Sequence, residues 1–133
     1  MADSGSGIAF LLDESIPKVL AVILRDHLCL NVTHLLDRFP SGTEDAAWLP
    51  TVGKEGLVLV TSDRAMTRRK LEKKALERYH VTTFFLYEGF SRLTRLKQIG
   101  FLTWRWERIM ELASTARSGE RFRIPERGEM KPD

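Results

Sequence analysis

Three aspartates stand where this chain's apolar or helical runs begin or end. Asp13 follows the apolar run of residues 8–12, Asp45 opens a helical pattern behind Thr43 and Glu44, and Asp63 closes the stretch GLVLVTSD. Glu14 and Glu44 lie next to two of them. Carboxylates gathered from separate segments repel, and each titrates high unless a cation sits among them. The natural occupant is a hard ion, Mg²⁺ or Mn²⁺, held by a few carboxylates and retaining waters. Such an ion turns water into a nucleophile and stabilises a phosphoryl oxygen. Each acid also has a plainer reading, because acids at helix starts cap backbone N–H groups.

A basic segment begins immediately after Asp63. From Arg64 to His80 there are seven Arg or Lys residues against two Glu. Arg64, Arg68 and Arg69 come first, followed by Lys73, Lys74 and Arg78. A helix over this segment would hold cations at its N-terminal end, where they oppose the macrodipole. A locally unfavourable arrangement of that kind suits phosphate contact, and Arg64, Arg68, Arg69 and Lys73 are the expected nucleic-acid-binding residues. The competing reading is a solvated helix face. A second basic set, Arg92, Arg95 and Lys97, extends the track or meets an acidic partner. Trp48, Phe84, Phe85 and Trp106 read as core, and Trp104, off the apolar stripe, reads as surface.

The elements that must position these residues follow from pattern. Residues 8–12, 29–36, 56–62 and 81–87 are apolar or β-branched runs, as expected of buried strands. Between them lie helical patterns: Val19, Leu20, Ile23 and Leu24 behind Pro17, then residues 43–56 with Thr43 as cap and Pro50 as a limit or kink. Residues 64–80 follow, with Met66, Leu71, Ala75 and Leu76 inward. The last helix carries Ile99, Leu102, Trp106, Ile109 and Ala113 at helical spacing, with Gly119 as a stop. RFRI, residues 121–124, suits a short edge strand. The order predicts an α/β fold: a doubly wound sheet of about four to five mostly parallel strands flanked by helices. If strand one lies between strands two and three, the strand order reverses between strands one and three. Ligands bind at such a point, outside the carboxyl ends of the strands.

Length predicts one domain: a flexible lead over 1–6, the folded unit over 7–125 and a flexible tail over 126–133. The net charge of +3 and pI near 9.2 are compatible with nucleic acid without requiring it. The single Cys29 excludes an internal disulfide and a Cys-rich zinc site. No apolar run approaches the ~20 residues of a membrane span, and no signal peptide is evident, so a cytoplasmic location is expected.

FLLDESIP, SGTEDAAWLPTVGKEGLVLVTSDRAMTRR and VTTFFLYEGF, taken in order, resemble the compact PIN-like domains of VapC-type toxins from bacterial toxin–antitoxin operons. The ordered set is an Asp after strand one, an Asp at a helix start with Trp48 three residues on, and T-x-D after strand three. The resemblance implies a Mg²⁺- or Mn²⁺-dependent endoribonuclease acting on RNA, inhibited by a cognate antitoxin and usually a homodimer. It assigns metal binding and catalysis to Asp13, Asp45 and Asp63, with Glu14 and Glu44 as neighbouring substitutes. Larger PIN domains bring a fourth acid, for which Glu88 is the only candidate by position. His27, His34 and His80 form no spaced pair and read as structural. The rival readings are a phosphoreceiver domain, which also carries an acidic pair after strand one and an Asp after strand three, and a PIN-like module that binds RNA or antitoxin without cutting.

Overall fold

The computed structural model describes residues 7–133, so the lead over 1–6 lies outside the described residues. One sheet of six strands runs through it in the order β2-β1-β3-β4-β5-β6. The strands are β1 (Phe10–Leu12), β2 (Val32–His34), β3 (Val58–Thr61), β4 (Thr83–Leu86), β5 (Arg121–Ile124) and β6 (Lys131–Pro132). The first five pair in parallel and β6 returns antiparallel along β5. Strand β1 therefore lies between β2 and β3, and the strand order reverses there. Burial on both faces explains the unbroken apolar runs: every residue of β1, β3 and β4 is buried.

Four helices cover the sheet: α1 (Lys18–Val22), α2 (Asp45–Lys54), α3 (Lys70–Arg78) and α4 (Arg95–Thr115). On one face, Phe10, Leu12, Val60, Phe84 and Phe122 pack against Leu20 of α1 and Leu102, Trp106 and Ile109 of α4. On the other face, Leu11, Leu59 and Phe85 pack against Trp48, Leu49 and Val52 of α2 and Leu76 of α3. The alternation of β5 puts Phe122 and Ile124 into the first core, while Arg121 and Arg123 belong to the opposite face.

Several sequence expectations change. The segment after Asp63 is not one helix: a 3₁₀ turn over Arg64–Thr67 precedes α3, and Leu71 is exposed rather than core. Thr43 does not cap α2, since its hydroxyl donates to the Pro40 carbonyl at 2.6 Å and Glu44 takes the cap position. Pro50 sits inside α2 without ending it. Strand two is shorter than expected because the chain turns at Cys29, which has a φ of 57°. Residues 126–133, expected as a tail, are placed along β5. They fold back so that Phe122 pairs with Pro132 and Arg123 with Lys131, and β5 is consequently not the sheet edge.

Candidate active site

Asp13 leaves the carboxyl end of β1 and is buried, only 4% exposed. Its backbone N–H donates to the Val60 carbonyl of β3 at 3.4 Å. Neutral donors engage both carboxylate oxygens. Thr61 Oγ1 donates to Oδ2 at 2.6 Å, and Ser15 donates to Oδ1 through its hydroxyl at 2.5 Å and its backbone N–H at 3.1 Å. Burial pushes the Asp13 carboxyl up to about 6; the Ser15 and Thr61 hydroxyls and the Ser15 amide pull against that, and the Asp45 charge adds to the rise. Asp13 makes no capping bond to α1, whose cap position is Pro17.

Asp63 leaves the carboxyl end of β3. Its backbone N–H donates to Thr61 Oγ1 at 2.9 Å, so one hydroxyl ties the backbone at Asp63 to the carboxylate of Asp13. Asp63 occupies the cap position of the following 3₁₀ turn, yet its side chain makes no capping bond. The plain cap reading therefore fails for Asp63. Asp45 is the first residue of α2. Its carboxyl is raised by burial first and by the Asp63 charge second, with Arg69 working in the opposite direction.

Arg69 closes the cluster. Its Nη2 reaches Asp63 Oδ2 at 2.5 Å and Asp45 Oδ2 at 3.1 Å, while Nε donates to Glu72 Oε2 at 2.7 Å. These partners, Asp63 first and Glu72 next, hold the guanidinium still further above its ordinary range. The sequence placed Arg69 on a phosphate-facing surface; in the structure its guanidinium is turned to three carboxylates. Two acids from separate segments thus converge on one cation, and a third stands within electrostatic reach.

The donor set is what a hard divalent ion takes: oxygen only, from carboxylates that burial and mutual repulsion make uncomfortable without a positive neighbour. The guanidinium between Asp45 and Asp63 fills the role of that neighbour. Among the described residues, no group of three or more His, Cys, Asp or Glu is gathered as a metal cluster. The reason is visible, since Asp13 is drawn back onto Ser15 and Thr61 while Asp45 and Asp63 turn to Arg69.

The other acids stand apart. Glu14 is exposed and pins the loop before α2, accepting from Ser41 Oγ and the Gly42 N–H at 3.1 Å each. Glu44 is exposed at the start of α2 and makes no capping bond. Glu88 is exposed beyond β4 and lines a different cleft. Sequence reasoning missed Ser15 and Thr61 as partners of Asp13. The T-x-D pattern contained Thr61 and gave it no role.

Of the remaining cations, Arg68 and Lys73 are exposed and make no ion pair among the described residues. Arg64 lies 5.1 Å over the Phe85 ring and pairs with Asp133 at 2.9 Å. His34 is a buried strut: its Nδ1 accepts from the Leu36 N–H at 3.1 Å, so its Nε2–H donates to the Ile16 carbonyl at 2.7 Å. His27 and His80 are exposed.

A family model described as PIN like domain matches residues 8–88, a span that holds Asp13, Asp45, Asp63 and Arg69. No curated protein and no solved structure gives a match.

Proposed function

The chain belongs to the PIN-like domain family, and from that premise we propose that it is a Mg²⁺- or Mn²⁺-dependent endoribonuclease, the toxin of a toxin–antitoxin pair. Members of this family are generally nucleases. The observation that supports the reading is the convergence of Asp45 and Asp63, from separate segments, on one guanidinium, with Asp13 behind them at the point where strand order reverses. A doubly wound sheet needs none of these acids at that point for its own stability.

Asp13, Asp45 and Asp63 are the residues that would hold the ion. When bound, it supplies Lewis-acid polarisation of a phosphodiester and an activated water. The chain's own contribution is positional. Thr61 and Ser15 fix the Asp13 carboxylate and leave it no freedom to rotate. Arg69 holds Asp45 and Asp63 close together before any ion arrives. Arg64, Arg68 and Lys73 supply positive charge along the segment that follows Asp63, where an RNA backbone would lie. Arg69, already held by carboxylates, acts on the acids first and on a phosphate only when released from them.

A non-cutting module that binds RNA or antitoxin is the second reading. The same Arg69 favours it, since a guanidinium that never leaves Asp45 and Asp63 would keep the acids from an ion. Induced expression in bacterial cells tests the proposal. Wild-type chain is expected to arrest growth with loss of intact RNA, and Asp45→Asn and Asp63→Asn, at equal protein level, to relieve the arrest. Arrest that survives both substitutions would point to a binding module. Growth unaffected by any form would remove the toxin reading.

A further inference from the structure

A cavity of about 660 Å³ opens at the carboxyl ends of β4 and β5. Five cations line it, Arg64, Arg68, Arg123, Arg127 and Lys131, against three glutamates. They come from two distant parts of the chain, the turn after Asp63 and the β5–β6 hairpin. Arg123 shares its face of β5 with Arg121, whose Nη1 is buried without a hydrogen-bond partner. From the α4 side, Arg105 Nη2 donates to the Pro125 carbonyl at 2.9 Å and anchors the hairpin loop.

One carboxylate meets these cations from outside the lining. Asp133 Oδ1 lies 2.9 Å from Arg64 Nη1 and 3.8 Å from Arg123 Nε, and its side chain is 13% exposed. Its backbone N–H donates to the Arg121 carbonyl at 2.8 Å. A single anion thus spans two guanidinia delivered by different elements. A phosphodiester offers guanidinia the same pair of oxygens, with charge delocalised over both.

We propose that this cleft is a phosphate-binding subsite for single-stranded RNA, and that the Asp133 carboxylate holds the phosphate position until a strand displaces it. The segment 63–69 carries the argument. Asp63 and Arg69 face the acid cluster, while Arg64 and Arg68 line the cleft, so a strand seated there continues towards the acids. Asp133 competes with the strand for Arg64 and Arg123, which lowers the apparent affinity by the fraction of time the position is filled. The identity of the polyanion as RNA rests on the ribonuclease reading. The cleft, its cations and its internal carboxylate do not.

The test uses the full chain in EDTA, so that cleavage does not enter the readout. The probe is a fluorescein-labelled single-stranded RNA of about ten nucleotides, within the usual span of single-strand sites, followed by anisotropy over a series of salt concentrations. Arg123→Ala is expected to weaken binding and to lower the slope of log affinity against log salt by about 1. Asp133→Asn is expected to tighten binding several-fold. Arg123 is 62% exposed, so its variant folds whatever becomes of the hairpin in Asp133→Asn. Binding unchanged in Arg123→Ala overturns the proposal, as does an acidic peptide that displaces the RNA at equal charge concentration. Cleavage is scored separately with Mn²⁺. A chain that binds RNA through Arg123 and cuts nothing keeps the cleft and loses the nuclease; a chain that cuts and binds independently of Arg123 and Asp133 does the reverse.

Discussion

Arg69 Nη2 lies 2.5 Å from Asp63 Oδ2, and the same nitrogen reaches Asp45 at 3.1 Å. A guanidinium in that position stabilises the acid pair and stands where the proposed divalent ion would act. Arg69→Ala therefore removes a competitor: Mn²⁺ affinity, read by titration calorimetry, is expected to rise several-fold. Unchanged or weaker Mn²⁺ binding in the variant would mean that the acids do not share their cation position with Arg69.

Asp13 carries a pH signature. Its folded-state carboxyl sits at about 6 against 3.8 for the free group. Between those values the folded chain binds the proton that the unfolded chain has lost, so stability falls as pH rises through about 6. The difference corresponds to about 3 kcal/mol, fully present below the unfolded value and gone above pH 7. Asp13→Asn removes the charge and keeps the shape. With the new side-chain NH₂ turned towards Thr61, the Thr61 hydroxyl accepts from that amide and from the Asp63 N–H, and turns its own hydrogen to Ser15 Oγ, 3.2 Å away. In EDTA, Asp13→Asn is expected to melt above the wild type at pH 8 and level with it at pH 4. Added Mn²⁺ is expected to raise the melting temperature of the wild type alone. A variant that melts lower at pH 8 would make Asp13 a structural strut.

Arg68 and Lys73 are exposed and unpaired among the described residues, so each should report on RNA without disturbing the fold. Arg68→Ala and Lys73→Ala are each expected to lower the salt slope of RNA binding by about 1. Identical slopes in wild type and both variants would assign this basic segment to solvent.

The acid cluster depends on how closely α2 approaches α3. A Cβ on Gly53 would meet Tyr79 Cβ and the Tyr79 carbonyl oxygen, each at 2.4 Å. Gly53→Ala must push apart the two helices whose N-terminal ends carry Asp45 and Arg69. The expected loss is about 1–3 kcal/mol in urea unfolding, offset only in part by alanine's better helix propensity. Undiminished stability would show that the contact yields freely.

The strand–helix alternation was legible because buried parallel strands write unbroken apolar runs and helices write their spacing. The three aspartates were legible because residues at strand ends and helix starts share one edge of such a sheet. The destination of Arg69 was not legible. Reading residues 64–80 as one helix put it on a surface, whereas the chain breaks into a 3₁₀ turn and α3, which keeps Met66 and Leu76 buried but leaves Leu71 exposed and turns Arg69 to the acids. Thr61 and Ser15 escaped for a similar reason, since the Thr61 hydroxyl gains its role from a partner 48 residues away. The return of residues 126–133 was hidden by their polarity. The strand β6 is held by backbone pairing, by Asp133 ion pairs and by the buried Met130 just before it, and a lone methionine in a polar run leaves little apolar trace.

Asp13, Asp45 and Asp63 are proposed to hold an ion that cuts RNA. The most direct test is cleavage of a labelled single-stranded RNA by the purified chain with Mn²⁺, with EDTA, and with Asp63→Asn verified as folded by circular dichroism. Cutting is expected with Mn²⁺, none in EDTA and none by Asp63→Asn. Cutting that persists in EDTA or in the folded variant would remove the three aspartates from the chemistry.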